Sequence, residues 1–470
     1  MTIKQLSFFL LLLIVNTASF SQTTYSKTEL TETPFLSSGF FYSAEANLQT
    51  FASTGDQLPF WMYHNQRGRI SEDTNLAAWL SGKAAYVFNN NSILEVGGGF
   101  LYSEGTGKDF IPDELYASYT TTFLKLTAGR KQQEEWYDGL SSSNRSLLWS
   151  LNARPLPGIQ LEMLRPVFFL KNFGIEASWA EYIMEEERFS SNARVHHKSF
   201  HLVYSTADRS LKIKAGLQHF AQWGGTSSEF GEQPESFQDY LRIVTGRNGN
   251  EGATGSDQLN ALGNHLGGYE IYISKSFSNF YAELFYNHIF EDGSGRRLGN
   301  TPDGRYGLFI SSHNQNSIIN SFMYEFYTTH HQSHTTTGPH KNDNYFNNSG
   351  YRNGWTYYNR VIGAPFFTVN TNERLHIINN KFTAHHLGIG GYLSVYDKEL
   401  PYKLLLSYAQ NDGRRDKRYD PKQNVFSALY DIKLFQLQQN SLAIKFQLGL
   451  EYNTYSSPNY GAGLQAVYKI

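Results

Sequence analysis

The chain contains no cysteine, which excludes disulfides, thiolate-ligated zinc, iron–sulfur clusters, thiol catalysis and a lipid-modified N-terminal cysteine. After residue 21 no apolar run approaches the about 20 residues that a membrane-spanning helix needs. Charge is also scarce as a signal. The formal net charge is −2 and no acidic or basic block stands out, which argues against a nucleic-acid partner. No Walker loop, HExxH zinc motif or serine-centred nucleophile elbow occurs, and no cofactor is implied.

What is plentiful is aromatic. Phe, Trp and Tyr make up 16% of the 470 residues, with 34 Phe and 32 Tyr, while hydrophobic residues reach only 40%. Many aromatics with a negative mean hydropathy suit a β-barrel whose lipid-facing residues alternate with polar ones between aromatic girdles. The stretch SLAIKFQLGLEY shows the alternation. Leu442, Ile444, Phe446, Leu448, Leu450 and Tyr452 hold one parity, and Ala443, Lys445, Gln447, Gly449 and Glu451 the other. Its length matches the ~9–11 residues of a tilted membrane strand. If it meets lipid, Lys445 and Glu451 point inward.

The pattern repeats from Phe40 to Ile470 and predicts about eighteen strands. Short connections near Asn89, Thr121, Asp208, Ser278, Asn314, Lys398 and Gln439 alternate with longer ones over 52–73, 131–157, 220–267, 330–381 and 411–423. Short periplasmic turns and long extracellular loops are the habit of outer-membrane barrels. Ahead of the strands, Lys4, the apolar Leu6 to Val15 and the small residues of Ser19-Phe20-Ser21 read as a secretory signal peptide over 1–21. Residues 22–470 are then one all-β, transmembrane antiparallel barrel in the bacterial outer membrane, in contact with its lipids and expected to be monomeric.

Two blocks carry a family resemblance. The run PFWMYHNQRGRISEDTNLAAWLSGKAAYVF from Pro59 and, after DELYASY, the run LKLTAGRKQQEEWYDGLSSSNRSLLWSLNARPLPGIQ to Gln160 resemble the capsule-assembly outer-membrane family called Wzi. The resemblance implies an eighteen-stranded barrel, plugged rather than open, acting as a non-enzymatic surface lectin that helps to hold exported capsular polysaccharide or exopolysaccharide. A porin-like channel for small solutes is the competing expectation, because barrels of sixteen to eighteen strands can leave an aqueous passage.

The residues themselves suggest where a glycan would meet the surface. Trp61, Tyr63 and Arg67 crowd the first long loop; Trp136, Trp149, Asn152 and Arg154 the segment 131–157; Tyr345, Trp355, Tyr357 and Arg360 the segment 330–381. Aromatic faces stack on sugar rings, and Arg and Asn bond carboxylates and hydroxyls. The plainer alternative is that these loops fold into the lumen as a plug, with Trp filling space and Arg–Glu pairs tying loop to wall. His330, His331, His334 and His340 match no metal-site spacing, so no metal is expected. Neighbouring Glu134 and Glu135 do not make a glycosidase pair, whose carboxylates must flank the scissile bond.

Overall fold

The computed structural model describes residues 38–105, 110–259, 261–333, 343–396, 398–437 and 441–470. The proposed signal peptide, His334 and His340 lie outside them. Strands come first as β1 (Gly39–Ser53), β2 (Leu76–Val87), β3 (Ile93–Ser103), β4 (Phe110–Thr120), β5 (Leu124–Arg130) and β6 (Gly158–Met163). Then follow β7 (Phe173–Ile183), β8 (Arg194–Ser205), β9 (Leu211–Trp223), β10 (Asn264–Ser276), β11 (Phe280–His288) and β12 (Gly304–Ser312). The last six are β13 (Ser321–Thr328), β14 (Phe382–Val395), β15 (Lys398–Arg414), β16 (Lys417–Gln436), β17 (Leu442–Asn453) and β18 (Asn459–Lys469). Each pairs antiparallel with its neighbours in sequence, and β1 also pairs with β18, so the sheet closes as an 18-strand barrel.

Alternation decides which face is which. On β17, Leu448 is 47% exposed while Gln447 beside it is 4% exposed. Gln447 accepts a hydrogen bond from Gln49 at 3.0 Å and donates to Asp431 at 2.7 Å, so its parity faces the lumen. Glu451 faces the same way and accepts from the backbone N–H of Phe60 at 3.0 Å; Lys445 shares that parity. Phe100, Leu115, Leu202, Leu284 and Leu464 stand exposed on the outer face of their strands. On a soluble protein so much exposed apolar surface would demand a partner; on a barrel it is the lipid belt.

One long connection is not a loop. Over 411–423 the ladder between β15 and β16 continues through Gly413↔Arg418 and Arg414↔Lys417 as a projecting hairpin. Its residues are polar on both faces above the lipid belt, so no parity marks it. The backbone N–H of Gly413 donates to Asn379 at 3.0 Å, and Arg414 donates to the Leu375 carbonyl at 3.1 Å, which ties the hairpin to the neighbouring loop.

The lumen is filled by three loops that share one end of the barrel. β5 and β6 have only 7 and 6 residues, and the chain between them leaves the wall and turns inward. There Tyr137 donates to Glu283 at 2.6 Å, Ser141 to Glu325 at 2.7 Å, and His386 Nε2 meets the Leu140 carbonyl at 2.7 Å. Gly388 makes room for this crossing: a Cβ there would lie 2.5 Å from the Leu140 carbonyl oxygen. From 54–75 the single-turn helix α1 (Phe60–Tyr63) presses Met62 onto Gly449 and Gly461 of the wall. From 329–381, Trp355 donates to the Leu148 carbonyl at 2.6 Å and Ser150 to the Gly363 carbonyl at 2.7 Å, knotting two loops together.

At the centre, Arg305 of β12 and Glu325 of β13 form an ion pair at 2.8 Å with both side chains fully buried. Arg305 also donates to Asn287 at 2.7 Å and the Arg145 carbonyl at 2.9 Å, and Glu325 accepts from the Ser142 backbone N–H at 2.7 Å. Arg305→Met leaves Glu325 charged and buried, and should cost about 3–5 kcal/mol. Arg305→Met with Glu325→Leu should recover most of that loss, read as thermal unfolding in detergent micelles. Gly388→Leu should push the 131–157 loop off β14 and raise single-channel current in planar bilayers above the parent's; an unchanged trace would separate the plug from the electrical seal.

Candidate functional site

With the lumen closed, chemistry available to large ligands lies where the plug and loops meet the outside. The first loop supplies one part. Phe60 opens α1 with its N–H on the Glu451 carboxylate, and the His64 ring stacks back on Phe60 with centroids 3.9 Å apart. Asn65, Arg67 and Gly68 then take left-handed backbone conformations (φ 55°, 61° and 64°), which reverses the chain. Asn65 fastens the reversal by donating to the Ser142 carbonyl at 2.6 Å. Burial drives the His64 imidazole well below the usual range, with Arg360 adding to the effect, so its ring is neutral.

On this base Tyr63 lies half-buried under Arg360, whose guanidinium carbon sits 4.7 Å from the ring centroid. Arg360 also reaches Glu72 at 3.5 Å. Nearby, Arg154 lies 4.6 Å over the Tyr358 ring and donates to the Pro112 carbonyl at 2.9 Å. Burial lowers the Arg154 guanidinium, and the like charge of Arg130 pushes in the same direction. Arg67 donates to the Gln133 carbonyl, and burial lowers it too against the pull of Glu135. Arg69 is matched by Asp113 at 2.6 Å and Arg130 by Glu185, whereas Arg67 and Arg154 rest on carbonyl oxygens. The Arg154 Nε, the Tyr357 hydroxyl and the Asn65 side-chain oxygen are buried with no hydrogen-bond partner among the described residues. The arrangement sets ring faces beside guanidinium donors.

The eleven candidate residues divide by burial. Trp61, Asn152, Arg154, Tyr345, Trp355 and Tyr357 are buried, and Trp61, at 1% exposed, spends its indole N–H on Ser407 at 3.1 Å. Asn152 donates to the Val361 carbonyl at 3.0 Å, and Tyr345 donates to Asp303 at 3.0 Å in a separate cluster with Asn300. Tyr63, Arg67, Trp136, Trp149 and Arg360 keep partial exposure. Of these, Tyr63 and Arg360 meet. Trp149 packs between Tyr182 and Phe220, at 5.2 and 5.3 Å, and Trp136 lies under Arg145 at 4.2 Å.

Tyr358, which the sequence places in the aromatic run of 330–381, belongs to the same neighbourhood, as do His64, Glu72 and Arg130, which were not singled out although each adjoins a residue or block that was. A second feature was signalled in the sequence only by its histidines, His330 and His331. A cavity of about 390 Å³ is lined by Pro302, Asp303, Thr328, His330, His331, Lys381 and Arg418, drawn from four separate stretches of chain. Among the described residues no cluster of three or more His, Asp or Glu side chains is arranged to hold a metal.

A closed wall with an apolar outer belt, long loops at one end and a lumen filled by three of them defines a plugged outer-membrane β-barrel. The chain belongs to the Wzi capsule-assembly family: the family model described as capsule assembly protein Wzi matches residues 22–373. Among solved structures it is similar to Wzi of Escherichia coli, titled an outer-membrane protein involved in group 1 capsule assembly and a carbohydrate-binding β-barrel. That likeness has a TM-score of 0.58 at 12% identity, covering 90% of this chain and 83% of the other. OccAB4 of Acinetobacter baumannii also aligns, at a TM-score of 0.49 and 10% identity over 91% of this chain and 98% of that one. OccK3 (OpdO) of Pseudomonas aeruginosa gives 0.49 and 10% over 91% and 95%. No curated protein matches the chain.

The junction of the loops around Asp303 and Asp343 carries a pH dependence. Burial and the neighbouring charge of Asp292 push the Asp343 carboxyl up to about 7, against a hydrogen bond from the Ser333 hydroxyl at 3.0 Å. The folded state therefore keeps a proton that the unfolded chain releases near 3.8. The stabilisation from this group is complete below that value and is lost as pH rises through about 7. Hydrogen exchange around 343–347 should quicken between about pH 5 and about pH 8 beyond the intrinsic effect. Asp343→Asn should abolish that difference.

Proposed function

We propose that this protein is a lectin-like outer-membrane barrel, without enzymatic activity and acting as a monomer, that assists assembly or attachment of capsular polysaccharide or exopolysaccharide at the cell surface. Family membership supports the setting. The observation that carries the reading is the outer neighbourhood of the plug, where the half-buried Tyr63 ring, Arg360 and Arg67 present a stacking face and guanidinium donors not all matched by carboxylates, with Arg154 buried beside them. Such a surface suits an acidic polysaccharide, since rings pack on sugar faces and guanidinium groups bind carboxylates in a fork. The E. coli barrel to which the chain is similar is itself described as carbohydrate-binding.

A solute channel requires a continuous aqueous passage, and here the lumen is crossed by side chains that bond loop to wall at Glu283, Glu325 and His386. Recognition is thereby moved to the outside, where a long polymer can lie across several loops without entering.

Deleting the gene in an encapsulated host should release polysaccharide into the medium; full retention would count against the reading. Purified protein should bind that polysaccharide, and Tyr63→Ala or Arg360→Ala should each weaken binding about tenfold, near 1.4 kcal/mol, with the fold intact by circular dichroism. Equal affinity in both variants would move the contact away from this pair.

A further inference from the structure

The outer face of the wall is not lipid-facing everywhere. On β9 the even residues look inward, with Gln218 donating to Ser146 at 2.8 Å and Gln222 to the Gly354 carbonyl at 3.2 Å, so His219, Ala221 and Trp223 face out. Against them packs helix α2 (Phe237–Thr245), from the 224–263 connection. Its start is a capping box between Ser236 and Asp239, and its end is Gly246 in the left-handed conformation. Ile243 packs with Ala221, Trp223, Ala253 and Leu262, and Tyr240 lies 5.5 Å from Trp223 while donating to Glu181 at 2.7 Å. The ammonium of Lys198 holds the Val244 carbonyl in the last turn and is itself placed by His219 at 3.0 Å. The helix is thus fastened to the outside of the barrel.

Two of its apolar residues stand exposed. Phe237 is 73% and Leu241 48% exposed. With about 100° per residue and Tyr240 facing the wall, Val244, Phe237 and Leu241 fall about 40°, 60° and 100° round to one side, and Ile243 about 60° to the other. Ile243 points to Ala253 and Leu262 in the loop beyond the strand ends. Lys198, which holds the Val244 carbonyl, lies four residues inside the outer end of β8 at Arg194, so the last turn of the helix lies at the outer rim of the wall, and the side opposite Ile243 faces down the strands. Phe237 and Leu241 therefore turn toward the lipid belt, and Asp239 and Arg242, paired at 2.6 Å, turn away from it. The exposed Trp179, Phe200 and Leu202 continue the same apolar surface down the wall.

We propose that α2 is an interfacial anchor that lies on the outer rim of the belt and inserts Phe237 and Leu241 into the headgroup–acyl boundary of the outer leaflet. A helix with one apolar edge and one charged edge settles at that depth, in the plane of the membrane. Its position bears on the barrel's height and tilt in the bilayer and is independent of what the extracellular loops bind.

The absence of cysteine makes the test direct. Phe237→Cys, Leu241→Cys, Leu202→Cys on the wall and Asn250→Cys on an exposed loop, each in the full chain, accept a single nitroxide label. In phosphatidylcholine vesicles, labels at 237 and 241 should resemble 202, relaxed by dissolved oxygen and largely shielded from a water-soluble nickel chelate, whereas 250 is open to the chelate. Chelate accessibility at 237 and 241 equal to that at 250 overturns the proposal. So does dipolar broadening between labels at high lipid dilution, which would assign the face to a second copy of the chain.

Discussion

The buried pair Arg305–Glu325 states the constraint on which this molecule rests. A closed sheet has two faces. When one is given to lipid, the polar residues of the other must find water or protein. An uncompensated charge inside costs several kcal/mol, so a barrel with Glu283, Glu325 and Arg305 on its inner wall needs either a wet lumen or a set of loops that bring matching groups. Here the loops bring them: Tyr137, Ser141 and Ser142 on the carboxylates, and backbone carbonyls on the guanidinium. Wall and plug are therefore one polar network, and neither is satisfied without the other.

That network explains why so many of the large aromatic residues are spent on architecture. Trp61, Trp355, Tyr345 and Tyr357 are sequestered inside the plug, and Trp149 is wedged among the rings of Tyr182, His197, Phe220 and Trp355. What is left for recognition is the margin of the knot, where Tyr63 and Arg360 remain in reach of solvent on a base held by Glu451 and by the left-handed turn at Asn65 to Gly68. A binding surface supported in this way loses little freedom when a ligand arrives, which suits a polymer held by many weak contacts. The outer rim follows the same logic from the lipid side, since α2 covers a cluster of polar groups on the wall and offers apolar residues in their place.

Much of this was legible in the sequence. Strand number, membrane orientation of β17 and the alternation of short and long connections follow from period-two patterning, because the side-chain period of a strand is fixed and each face meets one solvent. The inward parity of Lys445 and Glu451 needed nothing more. The projecting hairpin over 411–423 was hidden because both of its faces are polar, which leaves no alternation to read. The packing of α2 on the outside of β9 was equally hidden, for an amphipathic helix announces an apolar edge but not the surface it sits against.

The candidate site shows where the division falls. From the sequence alone came the chemistry: which loops concentrate rings, guanidinium groups and amides, and that such residues either bind sugar or fill a lumen. Only the tertiary structure decided between these fates residue by residue, burying Trp61 and Trp355 while leaving Tyr63 and Arg360 at the margin, and joining Arg154 to Tyr358 across about two hundred residues of chain. The reason is physical. Period and composition act over a few neighbouring residues, whereas burial depends on contacts between segments brought together only when the wall closes and its inner charges call the loops inside.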